Sequence, residues 1–411
     1  MNRRRFLYDS ALASTLATFG MSALSQRLLS AANSSRRTAS GVGKQCMVLW
    51  MQGGPSQIET FAPGEGAGLA TSLAGMRTGE MVRAMHPHAD KLCVLRSVGG
   101  RQGEHVRATH LLHTGFEPVP SFPRPSLGSI LSHQIDVDAL PRHVLLGDRP
   151  FGPAFLPTDS GPFVIADAAA ASDQLRRVRE RRDAMRHLRR MNTDFESRSP
   201  WAMTPDTQQR SNDLEQSSDM SDTALGDVLN VESASQRQRR RYGDTPFGRR
   251  TLVASRMLEL GVPFVEVQMD GWDTHGENDR RVRGLCDDLL PAWSSLLEDL
   301  QKRGRLDDTL VIWMGEFGRT PERNALNGRD HFPELIPIVM SGPVPGGTVV
   351  GETAAGAGNR IGEKHSVADF FSTLIQIMGL DPNASQTTSF GSPTTLTDNG
   401  TPIASLLADR R

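Results

Sequence analysis

Three short stretches of this chain carry carboxylates and imidazoles of the kind that bind a cation. "DGWDTHGEN" holds Asp270, Asp273, His275 and Glu277; "EFGRT" holds Glu316, Arg319 and Thr320; "GRDHF" holds Arg329, Asp330 and His331. Oxygen and imidazole donors without thiolates suit divalent ions. An ion so held can polarise an ester oxygen and lower the pKa of a bound water. Each stretch also has a purely structural reading. Asp273 could close a turn on its own backbone, Glu316 and Arg319 could pair at the surface, and Asp330–His331 could cap the next segment. A second cluster, "GEHVRATHLLHTG", places His105, His110 and His113 within nine residues, with His86 and His88 upstream. On a helix, His105, Thr109 and His113 would stack on one face at four-residue spacing. Five of the eleven histidines lie between 86 and 113, more than a core needs, so at least one is expected at a site.

The elements that must position these residues are legible as apolar patterns. "QCMVLWM" (45–51) is a short continuous apolar run, as a strand buried on both faces requires. It ends in "QGGPSQIET", with Gln52, Glu59 and a helix-capping Ser56. Runs at 91–98, 142–147, 263–270, 308–315, 335–342 and 347–352 read as further strands. Helices are expected at 245–260, along the stripe Val282, Leu285, Leu289, Leu290, Trp293, Leu296, Leu297 and Leu300, and at 365–380. The strand–helix–strand unit over 263–315 implies a right-handed parallel crossover. Strands alternating with helices predict an α/β fold, a three-layer α/β/α sandwich with a mostly parallel sheet. In such sheets ligands bind beyond the carboxyl ends of the strands, which is where all three acidic loops fall.

The bulk composition narrows the partners. With 46 basic and 47 acidic residues the formal net charge is -1, which excludes nucleic acid as a general partner. Three cysteines give no disulfide framework. Arg3, Arg4, Phe6 and Leu7 fit the core of a twin-arginine export signal, followed by an apolar stretch too short to span a bilayer. The expected organisation is a signal over 1–32, a linker over 33–44, and one α/β domain over 45–405. A helical and mobile insertion at about 170–245 interrupts that domain, and its segment 172–241 is rich enough in arginine to dock a protein partner. The chain is expected in the periplasm or cell envelope, with no membrane span left after signal removal.

"LWMQGGPSQIETFAP", "THLLHTG", "GVPFVEVQMDGWDTHGEN", "MGEFGRTPERNALNGRDHFP", "GGTVVGET" and "SVADFFSTLIQIMGLDP" occur in the order seen in an exported bacterial family catalogued as a domain of unknown function. The chain resembles that family over roughly residues 45–385. The family in turn is similar in fold to the alkaline phosphatase and sulfatase superfamily. That resemblance implies one or two metal ions beyond the strand ends and a nucleophile at a helix N-terminus. It implies a small anionic or carbohydrate ester as substrate. His365 lies where the superfamily often supplies a metal histidine. The chain departs from the pattern at three places: Gln52 stands for an aspartate, His105 for the nucleophile, and Glu316–Phe317 for an Asp-His pair. The expectation is a hydrolase of phosphate or sulfate esters using a divalent ion (Zn, Mn or Ca). Asp273, His275, Glu316, Asp330 and His331 would be its ligands, His105 a general base or nucleophile, and Arg319 a bidentate grip on the anionic group. The alternative is a non-catalytic binding or scaffold protein that has lost the superfamily site.

Overall fold

The structure is a computed structural model. It describes residues 44–134, 141–157, 160–167, 170, 224–388 and 391–407. The expected export signal, nearly all of the linker and most of the arginine-rich insertion lie outside the described residues. The chain forms two compact units, one of residues 1–41, 136–141 and 167–234, the other of 42–135, 142–166 and 235–411. In the first, the described part includes the helix Ala224–Leu229. Everything below concerns the second. No helix among the described residues is long and apolar enough to cross a membrane.

Eight strands form its central sheet: β1 (Gln45–Met51), β2 (Cys93–Leu95), β3 (His143–Leu146), β4 (Phe163–Ile165), β5 (Phe264–Met269), β6 (Thr309–Gly315), β7 (Ile338–Ser341) and β8 (Thr348–Val350). Their order is β8-β2-β7-β6-β1-β5-β3-β4. β7 runs antiparallel to β6 and β2, and all other neighbours are parallel. The strands therefore match the apolar runs in the sequence, with one addition. β4 has three residues and a partly exposed edge position, so it carries no continuous apolar signal. Helices α1 (His105–Thr114), α2 (Leu127–Gln134), α3 (Pro246–Leu260), α4 (Asn278–Lys302) and α5 (Val367–Ile377) cover the sheet.

All seven residues of β1 are buried, because helices pack on both faces. Cys46, Val48 and Trp50 share a core with Leu111 and Leu112 of α1, Ile130 of α2 and Phe370, Phe371 and Leu374 of α5. Alternate residues point the other way. On that second face the Gln45 amide donates to the carbonyls of Leu258 and Val262 at the end of α3, and α3 packs on α4. The arrangement is a three-layer α/β/α sandwich. The three cysteines are free and buried; burial pushes the Cys93 thiol up to about 11 and the Cys286 thiol to about 12.

The crossover from β5 through α4 to β6 strides over β1, which pairs with both. This puts the carboxyl ends of β6, β1 and β5 side by side. The loops Gln52–Glu59, Asp270–Glu277 and Glu316–His331 leave from those three adjacent ends.

Candidate metal centre

Two glycines let the three loops meet. Gly53 (φ +109°) and Gly54 (φ +85°) turn the chain directly after β1. A Cβ on Gly53 would lie 2.4 Å from the Asp273 amide nitrogen, and one on Gly54 would lie 2.7 Å from the Phe317 carbonyl oxygen. Arg319 then ties the loops together from below. It is fully buried, and its donors go to the carbonyls of Gly54 (3.0 Å), Arg329 (3.2 Å), Trp272 (3.1 Å) and Gly53, and to Asp273 Oδ1 (2.8 Å). A second buried pair anchors the far loop: Arg329 Nη2 donates to Glu59 Oε1 at 2.9 Å. His105 enters from the first turn of α1, whose N-terminal amides on Val106 and Arg107 are capped by the Glu104 carboxylate.

The hydrogen-bond partners of the three imidazoles fix which nitrogen carries the proton. His105 Nδ1 lies 2.9 Å from Glu316 Oε2, His275 Nδ1 lies 2.9 Å from Asp330 Oδ1, and His331 Nδ1 lies 2.7 Å from the Gly103 carbonyl oxygen. All three partners are acceptors, so each Nδ1 donates and each neutral ring presents a lone pair at Nε2. Those lone pairs converge on Asp273. His331 Nε2 and His275 Nε2 stand 3.3 Å and 3.1 Å from Asp273 Oδ1 and 2.9 Å from each other. His105 Nε2 stands 3.5 Å from Asp273 Oδ2. Bonds of roughly 2.0–2.1 Å in a tetrahedral zinc site separate ligand atoms by about 3.3 Å, and the spacings here cluster around that value. Imidazole nitrogens and a carboxylate that face one another in this way form a donor set that a divalent cation would fit. A shared proton relieves one pair, whereas a metal ion relieves all four. Donor atoms of His105, Asp273 and His331 lie within 4.8 Å of one another.

Electrostatics acts differently on the members of the set. Burial acts to raise the Asp273 carboxyl, but the Arg319 hydrogen bond and charge outweigh it and hold it at about 2. The Glu316 hydrogen bond raises His105 above the ordinary histidine value, while burial lowers His331 below it. Phe317 is fully buried, with its ring 4.3 Å from that of His331 and 5.2 Å from that of His105. It is the floor under both imidazoles. The opposite side is open: the side chains of His105, Asp273 and His275 are 33%, 44% and 41% exposed.

The family model described as "Protein of unknown function (DUF1501)" matches residues 43–407. The chain belongs to this family. Comparison with curated proteins finds no match. Among solved structures the DUF1501 chain is similar to a sulfatase from Pseudoalteromonas sp., at 16% identity and a TM-score of 0.42, over 92% of this chain and 76% of that one. It is similar to the phosphonate monoester hydrolase of Agrobacterium radiobacter, at 13% identity and a TM-score of 0.43, over 89% and 77% of the two chains. It is also similar to a protein of the alkaline phosphatase superfamily from Vibrio parahaemolyticus, at 12% identity and a TM-score of 0.39, over 87% and 75%.

Within the DUF1501 chain the seven residues expected at a site lie close together, with different surroundings. Asp273, His275 and His331 face one another directly. Glu316 is turned away from them and saturated: it accepts from Gln52 Nε2, Gly53 N (2.8 Å), His105 Nδ1 and Thr109 Oγ1 (3.2 Å). Asp330 accepts from His275 and from Asn324 Nδ2 (2.9 Å). Arg319 is fully buried, with its guanidinium turned to the loops that it joins and not to the open side of the site. His365 bonds Ser97 (2.8 Å) and Glu363 (3.0 Å) instead. Of the histidine cluster, His105 reaches the site. His113 lies deeper on the same helix face, 3.3 Å from buried Glu266, and His86 and His88 bond Thr78 and Ser294. Asn324 was not singled out by sequence. Its Oδ1 accepts from the amides of Leu326 and Gly328, both at 3.0 Å, and its Nδ2 donates to the His275 carbonyl. The signal was present in "ERNALNG", where an asparagine ahead of a glycine can fold the chain back on its own side chain.

Proposed function

We propose that this chain is an exported metal-dependent hydrolase of phosphate or sulfate esters. Residues 1–32 would be its twin-arginine signal and 33–44 its linker. The α/β domain would span 45–405, with the segment at about 170–245 inserted. The observation that carries the reading is the convergence of three Nε2 lone pairs on the Asp273 carboxylate, each ring pinned at Nδ1 by its own oxygen acceptor. Ligating histidines are held in this way by partners behind them. His105, Asp273, His275 and His331 would hold the ion. Glu316, Asp330 and the Gly103 carbonyl would orient the rings, and Arg319 would keep Asp273 ionised. Three imidazoles favour zinc over calcium, which takes oxygen ligands.

When bound, such an ion polarises an ester oxygen and lowers the pKa of its water. The chain's own contribution is geometric. Phe317 and Arg319 close the floor against water, and the exposed side admits the ester. Neutral Gln52 and buried Phe317, standing where the superfamily has ionic or imidazole groups, support a second reading. In that reading the chain is a binding protein that retains an ion without turnover.

Two measurements test this. The chain, loaded with zinc or manganese and dialysed, is expected to retain about one equivalent. His275→Ala and His331→Ala are expected to lose most of it. Turnover of para-nitrophenyl phosphate or sulfate by the loaded chain supports the hydrolase, and retention without turnover of either supports the binding protein. A wild-type chain that retains no metal sinks both.

A further inference from the structure

A groove of about 470 Å3 opens beside the site just described, between the segment Gly100–Arg101 and the segment Pro333–Glu334, with Arg360 and Lys364 along it. That volume lies within the range of roughly 300–1,000 Å3 typical of small-molecule sites. Its two walls run straight on from the candidate metal centre. Gly103, whose carbonyl fixes His331 Nδ1, stands two residues beyond Arg101, and Pro333 stands two residues beyond His331. The Gly100 amide ties the walls together by donating to the Pro333 carbonyl at 2.8 Å.

Three cations line the groove against one acid, Glu334. Arg101 and Lys364 are exposed, and neither has an ion-pair or hydrogen-bond partner among the described residues. Arg360 is built in: its Nη1 donates to the carbonyls of Ser97 (2.6 Å) and His365 (2.9 Å), which fixes the guanidinium plane at the groove. A fixed arginine flanked by two unpaired cations is an arrangement for anionic oxygens. The cleft concentrates that charge.

We infer that this groove binds a second anionic group of the substrate, so that the ester taken by the metal centre belongs to a polyanion, such as an oligosaccharide bearing several sulfate, phosphate or carboxylate groups. This rests on the hydrolase reading for the first group, but not for the groove itself. One anion would sit at the metal centre, and the next would reach Arg101, Arg360 and Lys364 along the shared walls.

The test is equilibrium binding by calorimetry on the full chain, with metal content measured on the same samples. The probes are dextran sulfate oligosaccharides, short polyphosphate and oligogalacturonate, compared with glucose 6-sulfate as the single-anion reference. The wild type is expected to bind at least one of the polyanions about tenfold or more tighter than the reference. The double variant Arg101→Gln/Lys364→Gln is expected to lose that preference, with reference binding and metal content unchanged. Lys91→Gln/Lys302→Gln removes the same charge elsewhere and is expected to keep it. The polyanion that gains most identifies the anion. Equal binding of polyanion and reference by the wild type, an undiminished preference in the groove variant, or an equal loss in the control pair each overturns the inference. If no metal is retained but the groove variant still abolishes polyanion binding, the hydrolase reading falls and the groove stands. Metal retained with a silent groove variant is the reverse.

Discussion

The Glu316 carboxylate is enclosed by four donors from two parts of the chain: Gln52 and Gly53 after β1, and His105 and Thr109 on α1. It cannot also bind an ion without giving some of them up, so its effect on the metal passes through His105. Glu316→Gln tests this at nearly constant shape. The amide can offer its NH2 to donors that need an acceptor, and the His105 Nδ1–H then loses its anchor. Metal affinity, measured by competition with a zinc chelator, is expected to fall about 10–100-fold. Folding stability should fall by about 1–3 kcal/mol, as for a buried polar group left unpaired. An unchanged chelator midpoint would show that Glu316 is a structural acid only. At this scale the sequence was half legible. Glu316 and Arg319 stood out as site residues because their types and loop positions suit chemistry. Their roles did not, because burial decides them: a guanidinium facing solvent grips a substrate, and one with five backbone and carboxylate acceptors around it grips the loops. Asp273 and His275 could be read more directly, since two residues on a short loop after a strand share a small volume.

At the scale of elements, continuous apolar runs such as Gln45–Met51 announced the strands, because a parallel sheet covered on both faces leaves no polar alternation. The direction of β7 was not legible. An antiparallel strand inside such a sheet has the same buried pattern, and only its connections set its direction. The turn after β1 was legible as Gly-Gly-Pro, but its purpose appears only in three dimensions, where Gly53 carries the backbone against the Asp273 amide. Gly53→Ala is therefore expected to cost twice. The backbone sits at φ +109°, which disfavours a side chain, and the new Cβ falls 2.4 Å from a backbone nitrogen that cannot move without shifting Asp273. Gly75→Ala supplies the control, with φ +79° and nothing within 4 Å of the added carbon. Urea unfolding is expected to show a loss of about 1 kcal/mol for the control. The loss at Gly53 should be larger by a further 1–3 kcal/mol or so, with weakened metal binding at Gly53 alone. Equal losses at the two positions would mean that the close approach is not a constraint on the site.

For the molecule as a whole, the candidate metal centre joins segments far apart in sequence. His105 begins a helix on one face of the sheet, Asp273 and His275 follow β5, and His331 ends the long loop after β6. In the unfolded chain these groups are separated by long stretches, so an ion held by them would bind the folded state far better than the unfolded one. By mass action that preference becomes stability: at free metal a thousandfold above the dissociation constant, the gain is about 4 kcal/mol. The loaded chain is accordingly expected to unfold at a higher temperature than the chelated chain, with a midpoint that keeps rising as free zinc or manganese rises. The His331→Ala variant should unfold near the chelated wild type and gain little from added metal. Lys302→Gln, on the exposed end of α4, should respond like the wild type. The opposing outcome is equally readable by scanning calorimetry. If metal leaves the wild-type midpoint in place, the site holds no ion and a proton is shared between one imidazole and Asp273. The charge at the centre of the fold is then an imidazolium paired with Asp273 and not a bound ion.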